Sequence, residues 1–115
     1  MAEYIKYLYK TARKFWASWC GPCRRSMPEL IEFYNKNKGL EIVGVSFDNN
    51  VQSWQKAIKA LGLPWKQMSD LKGWNNQAAQ IYDIRAIPNT LLIDPKGNIV
   101  GKGMTHEQIE ALLNK

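Results

Sequence analysis

The sequence predicts a single α/β domain in which helices cover a mixed β-sheet. Three observations predict it. Helical and strand patterns alternate through the first two thirds of the chain, as they do around parallel strands. A strand–turn–strand–helix pattern closes it, which adds an antiparallel hairpin. With 115 residues, 45% of them apolar, the chain can bury one core but not two.

The elements follow in order. Residues 24–34 carry Met27, Leu30, Ile31 and Tyr34 at helical spacing. Gly39-Leu40 ends that helix, with Gly39 suited to a left-handed C-terminal position. Residues 41–47 are β-rich and apolar on both faces in part, as a central parallel strand is. Asp48-Asn49-Asn50 forms a turn that caps a helix over 51–61, whose apolar positions are Val51, Trp54, Ala57, Ile58 and Leu61. Gly62-Leu63-Pro64 stops it. Residues 65–69 are a weak strand and 74–82 a short helix, with 83–86 leading out. Residues 90–94 and 99–103 are strands joined by a Pro95-Lys96-Gly97-Asn98 turn. Thr105 caps a last helix through Ile109, Leu112 and Leu113, and Gln108 completes a capping box.

The net charge of +6 comes from basic residues spread along the chain, among them Lys6, Lys10, Arg13, Lys14, Arg24 and Arg25. Tyr4, Tyr7 and Tyr9 interleave with Lys6 and Lys10, a pattern that can stack on bases. No nucleic-acid motif accompanies it, so a solvated basic face with a mild preference for acidic proteins is the expectation, and no nucleic-acid partner. No apolar run reaches the ~18 residues of a membrane span. Residues 1–6 lack the layout of a signal peptide. The expectation is therefore a cytoplasmic protein, or one from which a targeting segment has been removed.

Trp19-Cys20-Gly21-Pro22-Cys23 contains the only two cysteines. A disulfide between them closes a loop of about four residues, worth roughly 2 kcal/mol before strain, so it is a weak staple. It is better suited to opening and closing. The helix that follows places Cys20 at or just before an N-terminus, where free N–H groups and the helix dipole favour a thiolate. A zinc site wants four ligands, and the chain offers only Cys20, Cys23 and His106. His106 lies in the first turn of a surface helix. Haem attachment needs a histidine after the second cysteine, where Arg24 stands. Redox chemistry is the first hypothesis.

Two segments carry a family resemblance. Residues 15–23, followed by Met27-Pro28-Glu29-Leu30, resemble the active-site segment of the thioredoxin superfamily. Residues 82–90, followed by Leu91-Leu92-Ile93-Asp94, resemble its proline loop, and residues 95–100 the hairpin of its TlpA-like and ResA-like branch. The resemblance implies a thioredoxin-like three-layer sandwich with a mixed sheet of four to five strands flanked by helices. It implies that Cys20 is the exposed nucleophile and Cys23 the buried partner that resolves the mixed disulfide. Trp19, Gly21, Pro22, Ile87 and Pro88 would form the substrate groove, with Pro88 cis and the Ile87 backbone turned outward to pair with substrate. Pro28 would kink the helix. The implied activity is thiol-disulfide exchange, as a reductant, with no cofactor beyond the Cys20–Cys23 disulfide. The implied partners are disulfide-containing proteins and an upstream thiol reductant, met by a monomer in the periplasm or cell envelope. The non-enzymatic rival is a thioredoxin-fold binding domain with an idle dithiol.

Three features depart from the family pattern. Ser26 stands where ResA-like relatives often have glutamate, and Lys14 where thioredoxins commonly have a buried acid. The strand before Cys20 should be apolar, yet it reads Lys10-Thr11-Ala12-Arg13-Lys14-Phe15. Ile5, Leu8, Ala12 and Phe15 fit helical spacing as well. If it is a strand, Lys14 and Trp16 share one face and Arg13 and Phe15 the other. Two outcomes are expected: a short strand beginning near Phe15, or a Lys14 that extends its stem and keeps its ammonium near solvent or the dithiol.

Overall fold

A computed structural model describes residues 11–37, 40–94, 96, 98–103 and 105–113. The tyrosine–lysine pattern of residues 4–10, Gly39, Pro95 and Gly97 lie outside them, as does the side chain of His106. Five strands form one sheet, β1 (Thr11–Trp16), β2 (Glu41–Ser46), β3 (Lys66–Met68), β4 (Asn89–Ile93) and β5 (Ile99–Lys102), in the order β3-β2-β1-β4-β5. The first three run parallel, β4 is antiparallel to β1, and β5 is antiparallel to β4. The helices are α1 (Gly21–Lys36), α2 (Val51–Leu61), α3 (Gln77–Ile81) and α4 (His106–Leu113). The fold is the expected mixed α/β sandwich.

The polar segment before Phe15 is a full six-residue strand at the centre of the sheet. The short strand is overturned, as is the helical spacing at Ala12 and Phe15, while Ile5 and Leu8 lie outside the described residues. Pairing on both edges, Ala12 with Ile42 and Leu92, and Phe15 with Val45 and Asn89, satisfies the backbone and overrides side-chain preference. Ala12, Phe15 and Trp16 are buried, and Lys14 is 7% exposed. Alternation sends Lys14 toward α1 and α4, where Ser26, Leu30 and Ile109 lie. It sends Arg13 and Phe15 toward α3, with Phe15 against Tyr82 at 6.3 Å and Phe47 at 6.0 Å. Helix α2 packs beside α1.

Helix α1 buries Cys23, Met27, Leu30 and Phe33, while Ile31 and Tyr34 are half-buried at its edge. It continues through Pro28 and ends at Lys36, earlier than Gly39-Leu40 implied. Asn37 caps it with φ −114°, outside the left-handed region, and its side-chain amide donates to the Phe33 carbonyl at 2.9 Å. Helix α2 has the expected bounds. Asn50 accepts from the Ser53 N–H at 2.9 Å, and Gly62 closes it at φ 64°. Gly44 passes under Gln67, where a Cβ would collide with Oε1. That oxygen accepts from the Trp16 indole at 3.1 Å.

The helix expected over 74–82 is two pieces, a 3₁₀ turn (Gly73–Asn75) and α3. Asn76 divides them because its side chain takes the N-cap, accepting from the Ala79 N–H at 3.1 Å. The return strand ends at Lys102, and Gly103 turns out at φ 65°. The Thr105–Gln108 capping box forms reciprocally, at 3.0 and 3.2 Å.

Candidate redox site

Cys20 and Cys23 are joined by a disulfide, with Cα atoms 5.2 Å apart. Strand β1 ends at Trp16, the chain turns through Ala17 to Trp19, and Cys20 becomes the N-cap of α1. The Cys20 N–H donates to the Ala17 carbonyl at 3.1 Å, and its sulfur accepts from the Cys23 N–H at 3.2 Å. Cys23, one turn inside, is fully buried as expected, whereas Cys20, expected to be exposed, keeps only 6% of its surface, because its sulfur is bonded to that of the enclosed Cys23. Pro22 in the first turn sets the helical φ and removes an N–H that has no intrahelical acceptor.

The surroundings are positive. The first turn of α1 holds no acidic residue. The Arg24 guanidinium donates to the Ser18 carbonyl at 3.3 Å, and that of Arg25 lies over Gly21, where a Cβ would meet Nη1 at 3.1 Å. Helix dipole and guanidinium charge together favour a thiolate at the helix start.

Asp48 holds the turn before Cys20. It is 1% exposed, and its carboxylate accepts from the Ser18 N–H at 3.1 Å, the Ser18 hydroxyl at 2.5 Å and the Ser46 hydroxyl. Its own carbonyl accepts from the Gly73 N–H at 3.3 Å. The sequence reads Asp48 only as a turn residue. Its side chain instead binds a residue 30 positions away, and a lone aspartate after a strand gives no signal of that.

The proline loop lies beside α1. The Ile87–Pro88 bond is cis, Ile87 packs half-buried against the core, and Pro88 is exposed. Pro88 and Lys14 share a cleft of about 380 Å³ with Ser26, Glu29, Thr90 and Glu107. Lys14 thus runs its stem through the core and reaches this cleft, where burial pushes its pKa down to about 8. Ser26 donates to the Cys23 carbonyl at 2.8 Å. Trp19 is 55% exposed, with its ring 6.3 Å from Trp74. Of the site residues anticipated from sequence, Trp19, Cys20, Gly21, Pro22 and Cys23 lie at the start of α1, and Ile87 and Pro88 lie on the proline loop, whose cleft reaches Ser26 and Glu29 of the same helix. Lys14 lies close by, whereas the sequence left its place open, and Asp48 and Trp74 join unannounced.

Among the described residues no group of three or more His, Cys, Asp or Glu is placed to hold a metal ion, and no helix is long and apolar enough to cross a membrane.

The model of a thioredoxin-like family matches residues 12–99. The chain is 34% identical over 105 residues to the thiol-disulfide oxidoreductase ResA of Oceanobacillus iheyensis, covering 87% of this chain and 53% of that one. It spans about half the length of the curated relatives it matches. Among solved structures, a thiol-disulfide oxidoreductase from Bacteroides fragilis superposes with a TM-score of 0.81 at 33% identity, over 93% of this chain and 80% of that one. StoA from Bacillus subtilis gives 0.74 at 29% identity, over 92% and 94%. A cysteine pair at a helix start, a cis-proline loop that shares a cleft with that helix and this strand order occur together with those matches, and the chain belongs to the thioredoxin-like family, on its TlpA/ResA-like branch.

Proposed function

We propose that the protein is a thiol-disulfide oxidoreductase that reduces disulfides in protein substrates. The observation that carries the reading is the asymmetry of the Cys20–Cys23 pair at the N-terminus of α1. Cys20 caps the helix under a positive field and keeps 6% of its surface, and Cys23 is fully enclosed one turn inside.

In the reduced protein the Cys20 thiolate attacks one sulfur of the substrate disulfide. The substrate S–S bond breaks, its departing sulfur takes a proton, and Cys20 is left in a mixed disulfide. Cys23 then loses its proton and attacks the Cys20 sulfur. The Cys20–Cys23 bond forms, the second substrate thiolate leaves, and two electrons have passed from protein to substrate. An upstream thiol reductant returns the pair to the dithiol. The step uses no cofactor, since both sulfurs belong to the chain. Ile87 and Pro88, with Trp19, Gly21 and Pro22, form the groove against which the substrate backbone lies. The Lys14 ammonium, on the cleft that reaches Ser26, favours the Cys23 thiolate. The ResA-like resemblance supports action by a monomer in the cell envelope.

Insulin reduction with trapping of mixed disulfides tests this. Cys20→Ser abolishes exchange, whereas Cys23→Ser accumulates mixed disulfides through Cys20. Equal trapping by both variants overturns the assignment, and an inactive wild type favours a binding domain with an idle dithiol.

A further inference from the structure

Trp19 and Trp74 are 55% and 49% exposed. Their rings lie 6.3 Å apart, and Trp74 packs edge-on against Phe47 at 4.9 Å. They form one aromatic shelf that starts at the residue before Cys20. Asp48 ties both ends of it. Its carboxylate holds Ser18, next to Trp19, and its carbonyl holds Gly73, next to Trp74. Gly73 enters the 3₁₀ turn at φ 59°, a conformation suited to glycine. The turn is further fixed by Asn76, which is 3% exposed and donates to the Ser46 carbonyl at 3.3 Å. A half-exposed tryptophan pair on so firmly anchored a backbone is preorganised to receive an apolar side chain.

The rim of the shelf is cationic. Arg24 and Arg25 flank the dithiol turn, and Lys72 precedes Gly73. The nearby Asp70 carboxylate is taken up by the Lys72 and Gln77 N–H groups and the Asn76 amide.

Resting on the redox reading above, we infer that Trp74 is a specificity-determining residue. The shelf takes an acidic polypeptide segment that carries a large aromatic or aliphatic side chain beside its disulfide cysteine. The apolar side chain lies across Trp19 and Trp74 while the substrate carboxylates meet Arg24 and Arg25. The cysteine sulfur is thereby presented to Cys20.

The test measures second-order rate constants for oxidation of the reduced full chain by symmetric peptide disulfides. Glu-Phe-Cys-Glu, Glu-Gly-Cys-Glu and Lys-Phe-Cys-Lys are the peptides, and hydroxyethyl disulfide serves as a reagent without side chains. The Glu/Phe peptide is expected to exceed the Glu/Gly peptide by about tenfold, the scale of one well-buried aromatic contact. It is expected to exceed the Lys/Phe peptide by a margin that shrinks with added salt. Trp74→Ala brings the Phe-to-Gly ratio toward one, and Trp74→Leu, which keeps an apolar filler over Phe47, serves the same end if the alanine variant does not fold. A wild-type ratio near one, a preference for the lysine peptide, or a ratio that survives removal of the Trp74 ring each overturns the inference. A wild type that reacts with no disulfide, hydroxyethyl disulfide included, sinks the redox reading and this inference with it. Equal rates on all peptides sink this inference alone.

Discussion

Arg13 and Lys14 are neighbours in β1 and enter opposite sides of the sheet. Lys14 reaches a cleft of about 380 Å³ between α1, α4 and the Pro88 loop, with Glu29 and Glu107 on its walls. Arg13 reaches one of about 310 Å³ between β3 and α3, with Asp70, Gln77 and Tyr82 on its walls. A central strand accepts a basic residue on each face here because the helical cover over each face is incomplete. Lys14 is buried and Arg13 half-buried. Burial lowers the proton affinity of Lys14. Among the described residues, the Arg13 Nε is buried without a hydrogen-bond partner. Only the Lys14 side abuts the dithiol helix, so the same burial carries chemical weight on one face and structural weight on the other.

The sharpest way to break that division is Phe15→Ala, on the Arg13 face. The ring is fully buried between Phe47 and Tyr82, so its loss is expected to destabilise by about 3–5 kcal/mol in denaturant titration. The redox potential against glutathione should stay put, and a shift beyond about 30 mV would couple the two faces.

Lys14→Met is the next largest. Lowering the pKa from 10.5 to about 8 corresponds to a burial penalty on the order of 3 kcal/mol below pH 8, where folded and unfolded chains both keep the proton. Between about pH 8 and 10.5 the folded protein releases it and the unfolded chain does not. Unfolding then takes up a proton, and stability rises with pH. The methionine variant should therefore be more stable at pH 7, with its advantage fading across that window. Urea titrations of both proteins at several pH values check it, and an advantage constant from pH 7 to 10.5 would show that Lys14 is solvated.

Lys14→Asp addresses the chemistry. Replacing a cation with an anion beside α1 disfavours thiolates of the reduced form, so the apparent Cys23 pKa should rise. The potential should fall by tens of mV, on the scale of about 30 mV per 1.4 kcal/mol. An unchanged potential would confine Lys14 to stability. Smallest is Arg13→Met, which removes an unsatisfied donor and is expected to change stability by about 1 kcal/mol.

Elements whose signals are local were legible in the sequence. Val51 to Leu61 was bounded by Asn50 and Gly62, and both act as caps. Thr105 and Gln108 met across one turn. Cys20 reached the helix start because Pro22 and the apolar spacing behind it fix where α1 begins. What escaped depends on distant partners. Strand β1 is polar by composition and is made a strand by pairing with β2 and β4. Asn76 splits an otherwise helical run by taking a cap while its amide bonds Ser46 and Asp70. Trp74 owes its place to Phe47 and Trp19, both distant from it in the chain. The redox pair could be read from five consecutive residues, but the Asp48 bridge to Ser18 could not, because it joins two strand ends that only the sheet brings together.

The disulfide spans three positions of the chain. Stretched by force from points on either side of the sheet, the oxidised polypeptide hides only about 10 Å of contour, at roughly 3.5 Å per residue. Its fully extended length is therefore almost the same whether the sulfurs are joined or free. Oxidation ties no element of the sheet to another, so electron traffic through Cys20 and Cys23 leaves the domain's resistance to pulling to hydrogen bonds and packing alone.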